Sequence, residues 1–236
     1  MAKQTWKPGN MIYPLPAVMV STADREGGSN ILTVAWTGTV CTNPPMAYIS
    51  VRPERYSYHM IKESGEFVIN LTTKKLARVT DYCGVRSGRE VDKWKECRLT
   101  KGSASTLKYA PVIEEAPVNI ECRVKSIQEL GSHHMFLAEV TAVQVDEAYM
   151  DEKGKFDLDS TGLIAYSHGE YLDLGEKLGT FGYSVRKKQT ARKPKVSGGR
   201  KSDAKNAGRK RSDAPNTGRR KSAGKKHTTA RRKADR

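Results

Sequence analysis

Val118-Asn119-Ile120-Glu121-Cys122-Arg123-Val124-Lys125-Ser126 alternates without a break. Val118, Ile120, Cys122 and Val124 fall on one side, and Asn119, Glu121, Arg123 and Lys125 on the other, the period-two pattern of a strand with one wet face. Such a strand suits an antiparallel sheet, because parallel strands are covered on both faces and read as continuous apolar runs. Downstream, Met135 to Val145 is apolar on both faces and is expected deeper in the same sheet. Gly131 between the two segments marks a turn and makes them antiparallel neighbours. Upstream, Ala17 to Thr22, Met46 to Val51 and Glu66 to Leu71 are short apolar runs bounded by Gly, Pro or Asn, and they read as further strands.

Helical signals are few. Tyr56, Met60 and Ile61 have helical spacing between Arg55 and Ser64, and Gly65 stands where a left-handed glycine would end the helix. Lys74 to Tyr82 is a second short candidate. Strands without regularly alternating long helices argue against a doubly wound parallel sheet. The expected fold is mainly β, an antiparallel barrel with short helices on its rim.

Charge divides the 236 residues into two parts. Residues 186–236 carry 21 Lys+Arg against 3 Asp+Glu, which leaves 21 against 23 in residues 1–185. The formal net charge of +16 therefore describes neither part. The first is long enough for one domain with a real core. The second has only seven Ala and Val196 as apolar residues and is expected to be a disordered Lys/Arg-rich tail. Its loose repeat, as in Gly208-Arg209-Lys210-Arg211-Ser212-Asp213-Ala214, is low complexity and not a solenoid. An early apolar run, Met11 to Val20, is interrupted by Pro14 and Pro16 and is too short to span a bilayer. It lacks a small-residue cleavage site, so no signal peptide and a cytoplasmic location are expected. Cys41, Cys83, Cys97 and Cys122 are far apart with no C-x-x-C pair; nothing demands disulfides, though they are open to them, and most read as small packed hydrophobes in a reducing compartment, with no metal site.

Three segments carry chemistry. The first runs from Ser29 to Pro45 and holds a strand-like stretch, Trp36, then small hydroxylated residues and a Pro-Pro turn. Small residues let a flat ring approach the backbone, although a plain strand and loop would have the same composition. The second is Ser50-Val51-Arg52-Pro53-Glu54-Arg55-Tyr56-Ser57-Tyr58. A strand end delivers Ser50 and Arg52 beside a helix start that contains Ser57, a combination suited to a phosphate. The plainer account is helix capping by Ser57 and a surface arginine. The third, Tyr82 to Trp94, places two glycines and three basic residues in a loop that could clamp an anion or be a solvated turn. No G-x-G-x-x-G or Walker loop is present in the first 185 residues.

Read together, these segments resemble the flavin reductase-like family, which includes the flavoredoxins. The resemblance spans residues 8–185. It rests on N-x-x-T-x-A-W at Asn30 to Trp36, N-P-P at Asn43 to Pro45 and S-V-R-P-x-R-x-S at Ser50 to Ser57. It continues in S-G-R-x-V-D-K at Ser87 to Lys93, then Gly169, Tyr171 and Leu174-Gly175. The resemblance implies an FMN-binding split barrel and a homodimer with the cofactor at the subunit interface. It places the phosphate near Arg52 and Ser57, with Ser50 close by. The ring would lie along the Asn30, Thr33, Ala35 and Trp36 strand and the Cys41-Thr42 turn. Lys93, His133 or His134, and Tyr166 would close the pocket, some of them from the partner subunit. Tyr166 departs from a position that is often Phe, so only its stacking role is implied.

Physical roles follow beside the resemblance. Flavin reduction puts negative charge on the pyrimidine end of the ring, which a cation at Lys93 would stabilise. Lys93 is expected to be a loop lysine with few packing contacts, so that its loss would alter redox potential more than stability. Asn30 could hold the ring edge, and Trp36 could limit water access. His59 and His168 read as structural. The leading functional expectation is an FMN-dependent oxidoreductase that takes electrons from NAD(P)H or from a redox protein. The competing class is a nucleic-acid-associated protein anchored by its tail, which would bind nucleic acid or another polyanion by counterion release, without base reading.

Overall fold

The computed structural model describes residues 1–186. Met1–Gly179 form one compact unit, and Thr180 begins a second, of which only the first seven residues are described. The basic tail expected from residue 186 onward lies almost wholly outside the described residues.

The first unit opens with β1 (Leu15–Pro16), β2 (Val18–Ala23), β3 (Ser29–Val34), β4 (Thr37–Thr42) and β5 (Pro45–Val51). Helix α1 (Tyr56–Ser64), β6 (Glu66–Leu71), α2 (Ala77–Val85) and the single turn α3 (Lys93–Glu96) follow. The remaining strands are β7 (Lys101–Gly102), β8 (Val112–Ile113), β9 (Val118–Glu129), β10 (His134–Val145), β11 (Ile164–Ser167) and β12 (Glu170–Asp173). Seven strands make one antiparallel sheet in the order β3-β2-β6-β9-β10-β5-β4. Its two edge strands, β3 and β4, are joined by Ala35 and Trp36 alone. A connection that short curls the sheet so that β3 returns beside β5, where Leu32 and Val34 pack with Ile49, and the Ser50 N–H donates to the Trp36 carbonyl at 2.9 Å, extending the β4·β5 ladder up to the link. Curling closes the barrel and limits exposed edge. Mainly β with short helices, and an antiparallel barrel, is the fold the sequence led us to expect.

The barrel interior is filled by Val20, Leu32, Val34, Ile49, Phe67 and Phe136, with Tyr58 and Ile61 of α1 closing one end. Helix α1 stops where expected: Gly65 adopts φ 72°, and its N–H donates to the Ile61 carbonyl at 2.9 Å. A second cluster, built on Met19, Ile31, Leu76, Cys83 and Trp94, packs α2 and α3 onto the outside of β2 and β3. Those two strands are therefore covered on both faces, which fixes their side chains firmly beneath the site described below.

Two strand expectations need correction. The supposed wet face of β9 is wet only toward its end: Arg123 and Lys125 are exposed, but Asn119 and Glu121 are buried. The chain between β7 and β9 folds over them. Asn119 donates to Asn70 Oδ1 at 2.7 Å and to the Ile113 carbonyl at 2.9 Å. Strand β10 lies inside the sheet order as expected, between β9 and β5, yet Val143 is 54% exposed and only Phe136 and Ala138 are fully buried.

Glu121 has no exposed surface and accepts hydrogen bonds from the backbone and hydroxyl groups of Ser105 and Thr106, and from Gln144. Burial alone would push its carboxyl up, but those donors outweigh it and hold it at about 2. A depressed carboxylate stabilises the fold above its ordinary value of 4.5, and that contribution is lost as pH falls toward about 2. Because only a thin loop covers the group, solvent screening trims the effect to roughly 1–3 kcal/mol. Urea unfolding of wild type and Glu121→Gln should differ by that much at pH 6 and converge near pH 2. A constant gap across that range would remove Glu121 as the cause.

Candidate functional site

Two adjoining clefts open beside the seam where β3, β5, α1 and the loop after α2 come together. The first, about 290 Å³, is lined by Asn30 and Ser57 at its floor, by Arg52, Arg55, Arg86 and Arg89 at its rim, and by Lys93. The second, about 410 Å³, lies against Thr33, Ala35, Trp36, Ser50, His133 and Tyr166. Leu32, Arg52, Arg55 and Val85 line both, so the two form one groove with a cationic lobe and a flatter, aromatic-walled lobe. Each is near or within the range of roughly 300–1,000 Å³ for small-molecule sites.

The cationic lobe is built by local sequence. Strand β5 ends at Val51, and the chain turns through Arg52 to Arg55 into α1, whose first turn forms one wall. A helix start carries unpaired N–H groups and partial positive charge. Ser57 does not cap the helix. Arg55 occupies the cap position without a side-chain bond, and buried Ser57 Oγ accepts from Asn30 Nδ2 at 2.9 Å. Asn30 is thereby fixed with its carbonyl oxygen toward Gly88, where a Cβ would sit 2.5 Å from both Asn30 Oδ1 and Tyr56. Only glycine lets the Ser87-Gly88-Arg89 loop lie this close. Arg55 donates to the Gly84 carbonyl at 3.1 Å and Arg89 to the Glu54 carbonyl at 3.0 Å, which ties the loop to the start of α1. The exposed Arg52 side chain makes no hydrogen bond or ion pair among the described residues, so its guanidinium is available to an anion.

Lys93 overturns an expectation. It is no loop lysine: it is 2% exposed, and its ammonium donates to the Ile31 and Cys83 carbonyls at 2.7 Å each. Burial pushes its pKa below the usual lysine value. The neighbouring Asp92 caps α3 by accepting from the Trp94 and Lys95 N–H groups, which accounts for the Asp-Lys pair in the sequence. Two of the three ammonium protons serve the fold, and the third remains for the cleft that Lys93 lines.

In the flatter lobe, Thr33 Oγ1 donates to the Thr80 carbonyl and anchors β3 to α2. Trp36 and His133 rings lie 4.2 Å apart between centroids, tilted by 46°. Burial, then the Arg52 charge, lowers the His133 pKa and favours the neutral ring. The two adjacent histidines are thus separated by the fold. His133 faces the groove, while His134 is held away from it by Tyr58 Oη at 2.8 Å and lies 3.9 Å from Glu129. Tyr166 on β11 packs edge-on against Tyr171 of β12 at 5.4 Å.

Cys41 and Thr42 are not brought to this groove. They end strand β4 and pair with Met46 and Pro45, and the turn itself is Asn43-Pro44. At about 3.3 Å per residue they lie some 15–20 Å along the hairpin from Trp36. Conversely, Arg55, Asp81, Tyr13 and Tyr171 line the groove without having been given a site role. Arg55 was legible within the S-V-R-P-x-R-x-S stretch. Tyr171 stood among the motif residues beside Gly169, whereas Tyr13 and Asp81 come from distant segments with no local signal. Burial, then the Asp81 charge, pushes the Tyr171 phenol up to about 12, so it stays protonated and can donate.

Residues 11–175 match the sequence profile of the flavin reductase like domain. The chain belongs to the flavin reductase-like family. Its fold is similar to the flavoredoxin of Desulfovibrio vulgaris (Miyazaki F), with TM-score 0.72 and 30% identity over 78% of this chain and 100% of that one. The flavoredoxin of Methanosarcina acetivorans gives 0.71 and 29% over 79% and 100%. In sequence, the chain is 25% identical to the FMN reductase (NADH) of Agrobacterium fabrum over 57% of its length and 76% of that protein. These likenesses make it a flavin-related oxidoreductase of split-barrel fold. Among the described residues no helix is long and apolar enough to cross a membrane.

Proposed function

We propose that this flavin reductase-like protein binds one FMN in the groove and uses it to move electrons from NAD(P)H, or from a redox protein, to an acceptor. The observation that carries the reading is the joined groove itself: one compact cationic lobe on a helix start, opening into one aromatic-walled slot. Arg52, Arg55 and Ser57 would hold a single phosphate, and no Gly-rich turn offers a place for a pyrophosphate. Trp36, Tyr166 and the backbone of β3 suit a flat ring, and Ser50 lines the same slot. When bound, FMN supplies the hydride and electron chemistry. The protein orients the ring, limits water at Trp36, and presents the Lys93 cation beneath β3. Neutral His133 and protonated Tyr171 are placed to exchange hydrogen bonds at the mouth of the slot.

We further infer a homodimer. The exposed Val40 and Val143 leave apolar surface on the sheet, and a second copy would cover it. The same copy would bring Cys41 and Thr42 within reach of the neighbouring groove. Residues 186–236 form a separate functional part, whose excess of 21 basic over 3 acidic residues favours non-specific binding of nucleic acid or another polyanion.

One set of preparations tests this. The full chain and a chain ending at Ser184 should both purify yellow, scatter light as dimers and release FMN, not FAD, on denaturation. Only the full chain should bind a labelled DNA duplex, with affinity falling steeply with salt. Stoichiometric FAD, or a monomer saturated with flavin, contradicts the proposal. Equal duplex binding by both chains moves any nucleic-acid site off the tail.

A further inference from the structure

Cys83 sits in the last turn of α2 with no exposed surface, and Cys97 follows α3 half-buried. Fourteen residues apart in sequence, their sulfurs are 4.0 Å apart in space. A disulfide needs about 2 Å, so an approach of roughly 2 Å closes the bond. Next to Cys97, Arg98 holds φ 53°, a left-handed conformation that non-glycine residues adopt at a cost and that often marks a site of conformational change. The other two cysteines are placed differently, Cys122 inside the barrel and Cys41 near the end of β4.

Lys93 links this pair to the groove. Its ammonium donates to the Cys83 carbonyl at 2.7 Å, and its own carbonyl accepts from the Cys97 N–H at 3.1 Å. Gly84, which adjoins Cys83, lines the flatter lobe, and Lys93 lines the cationic one. We propose that Cys83 and Cys97 are a redox pair that closes into a reversible intrachain disulfide, and that closure is transmitted through Lys93 to the flavin groove.

The oxidant is a small-molecule disulfide. The more accessible Cys97 thiolate attacks one sulfur and expels one thiol. Cys83 thiolate then attacks the Cys97 sulfur, forming the protein disulfide and expelling the second thiol. Both cysteine protons end on the two expelled thiolates, so two protein thiols are oxidised and one small disulfide is reduced. Burial raises both protein thiols, Cys83 to about 12, so closure should accelerate as pH rises and the thiolate fraction grows.

The transmission step rests on the FMN reading, whereas closure does not, and the test separates them. The full chain is equilibrated with graded ratios of oxidised to reduced glutathione, alkylated and digested. Mass spectrometry should find a Cys83–Cys97 linked peptide under oxidising conditions, with Cys41 and Cys122 alkylated, and none after reduction. FMN titrated by fluorescence should bind the two forms with affinities at least threefold apart. Cys97→Ser and Cys97→Ala should show neither the link nor the redox dependence of affinity. Absence of the linked peptide at the most oxidising ratio, or links only between chains, overturns the pair. A link with affinities less than threefold apart overturns transmission. A protein that forms the link but takes up no FMN in either form keeps the redox pair and sinks the FMN reading instead.

Discussion

Replacing Lys93 with alanine should lower the unfolding free energy by about 3 kcal/mol. The change leaves the Ile31 and Cys83 carbonyls without the donor that satisfies both, and it removes three stem carbons and the ammonium from a buried position. Urea denaturation measures the loss directly. Lys93→Met should recover part of it by filling the space while leaving the carbonyls unpaired. The pH dependence carries a sign that distinguishes the charge from the stem. Burial holds the native ammonium below its ordinary value of 10.5. Between those two values the unfolded chain binds more protons than the native one, so stability rises with pH in wild type relative to Lys93→Met. A loss below 1 kcal/mol in the alanine variant would return Lys93 to the surface role that composition suggested.

Arg52 should behave in the opposite way. Arg52→Ala is expected to weaken FMN binding by about 2 kcal/mol, roughly thirtyfold, because it removes a charge-assisted contact to the phosphate. Its melting temperature should stay close to that of wild type, since the Arg52 side chain is exposed and bonds to nothing among the described residues, while its backbone bond to Arg55 is kept in the variant. Arg52→Lys should fall between the two, keeping the charge and losing the planar fork. Fluorescence titration and thermal unfolding of the three proteins decide the matter. Unchanged affinity in Arg52→Ala would shift the phosphate toward Arg86 and Arg89 on the facing loop. The pair of predictions also tests the division of labour in the groove: Lys93 acts first on the fold and Arg52 on the ligand.

The arginine and lysine looked alike in sequence, each a cation in a segment suited to an anion. What separates them is depth, set by segments far from either. Lys93 is enclosed because α2 and α3 lie on β3, and Ile31 and Cys83 offer carbonyls at one point. No pattern within Tyr82 to Trp94 encodes that. The histidine pair shows the same limit. His133 and His134 are adjacent, and only the position of Trp36 on one side and Tyr58 on the other assigns one to the groove and one to the core.

The sequence by itself determined the strands of the barrel, the glycine that ends α1, the separation of a near-neutral body from a basic tail, and the motifs that gather around the groove. These are properties of short stretches: period-two alternation, left-handed glycine and charge density act over a few residues and need no partner. Tertiary structure alone decided that Asn119 and Glu121 are buried beneath a loop, that Cys41 and Thr42 stand away from the groove within one chain, and that Cys83 and Cys97 lie side by side. Burial and proximity arise when distant segments close on one another. The chain between β7 and β9 covers the first pair, and the packing of α2 and α3 on β2 and β3 brings the two cysteines together.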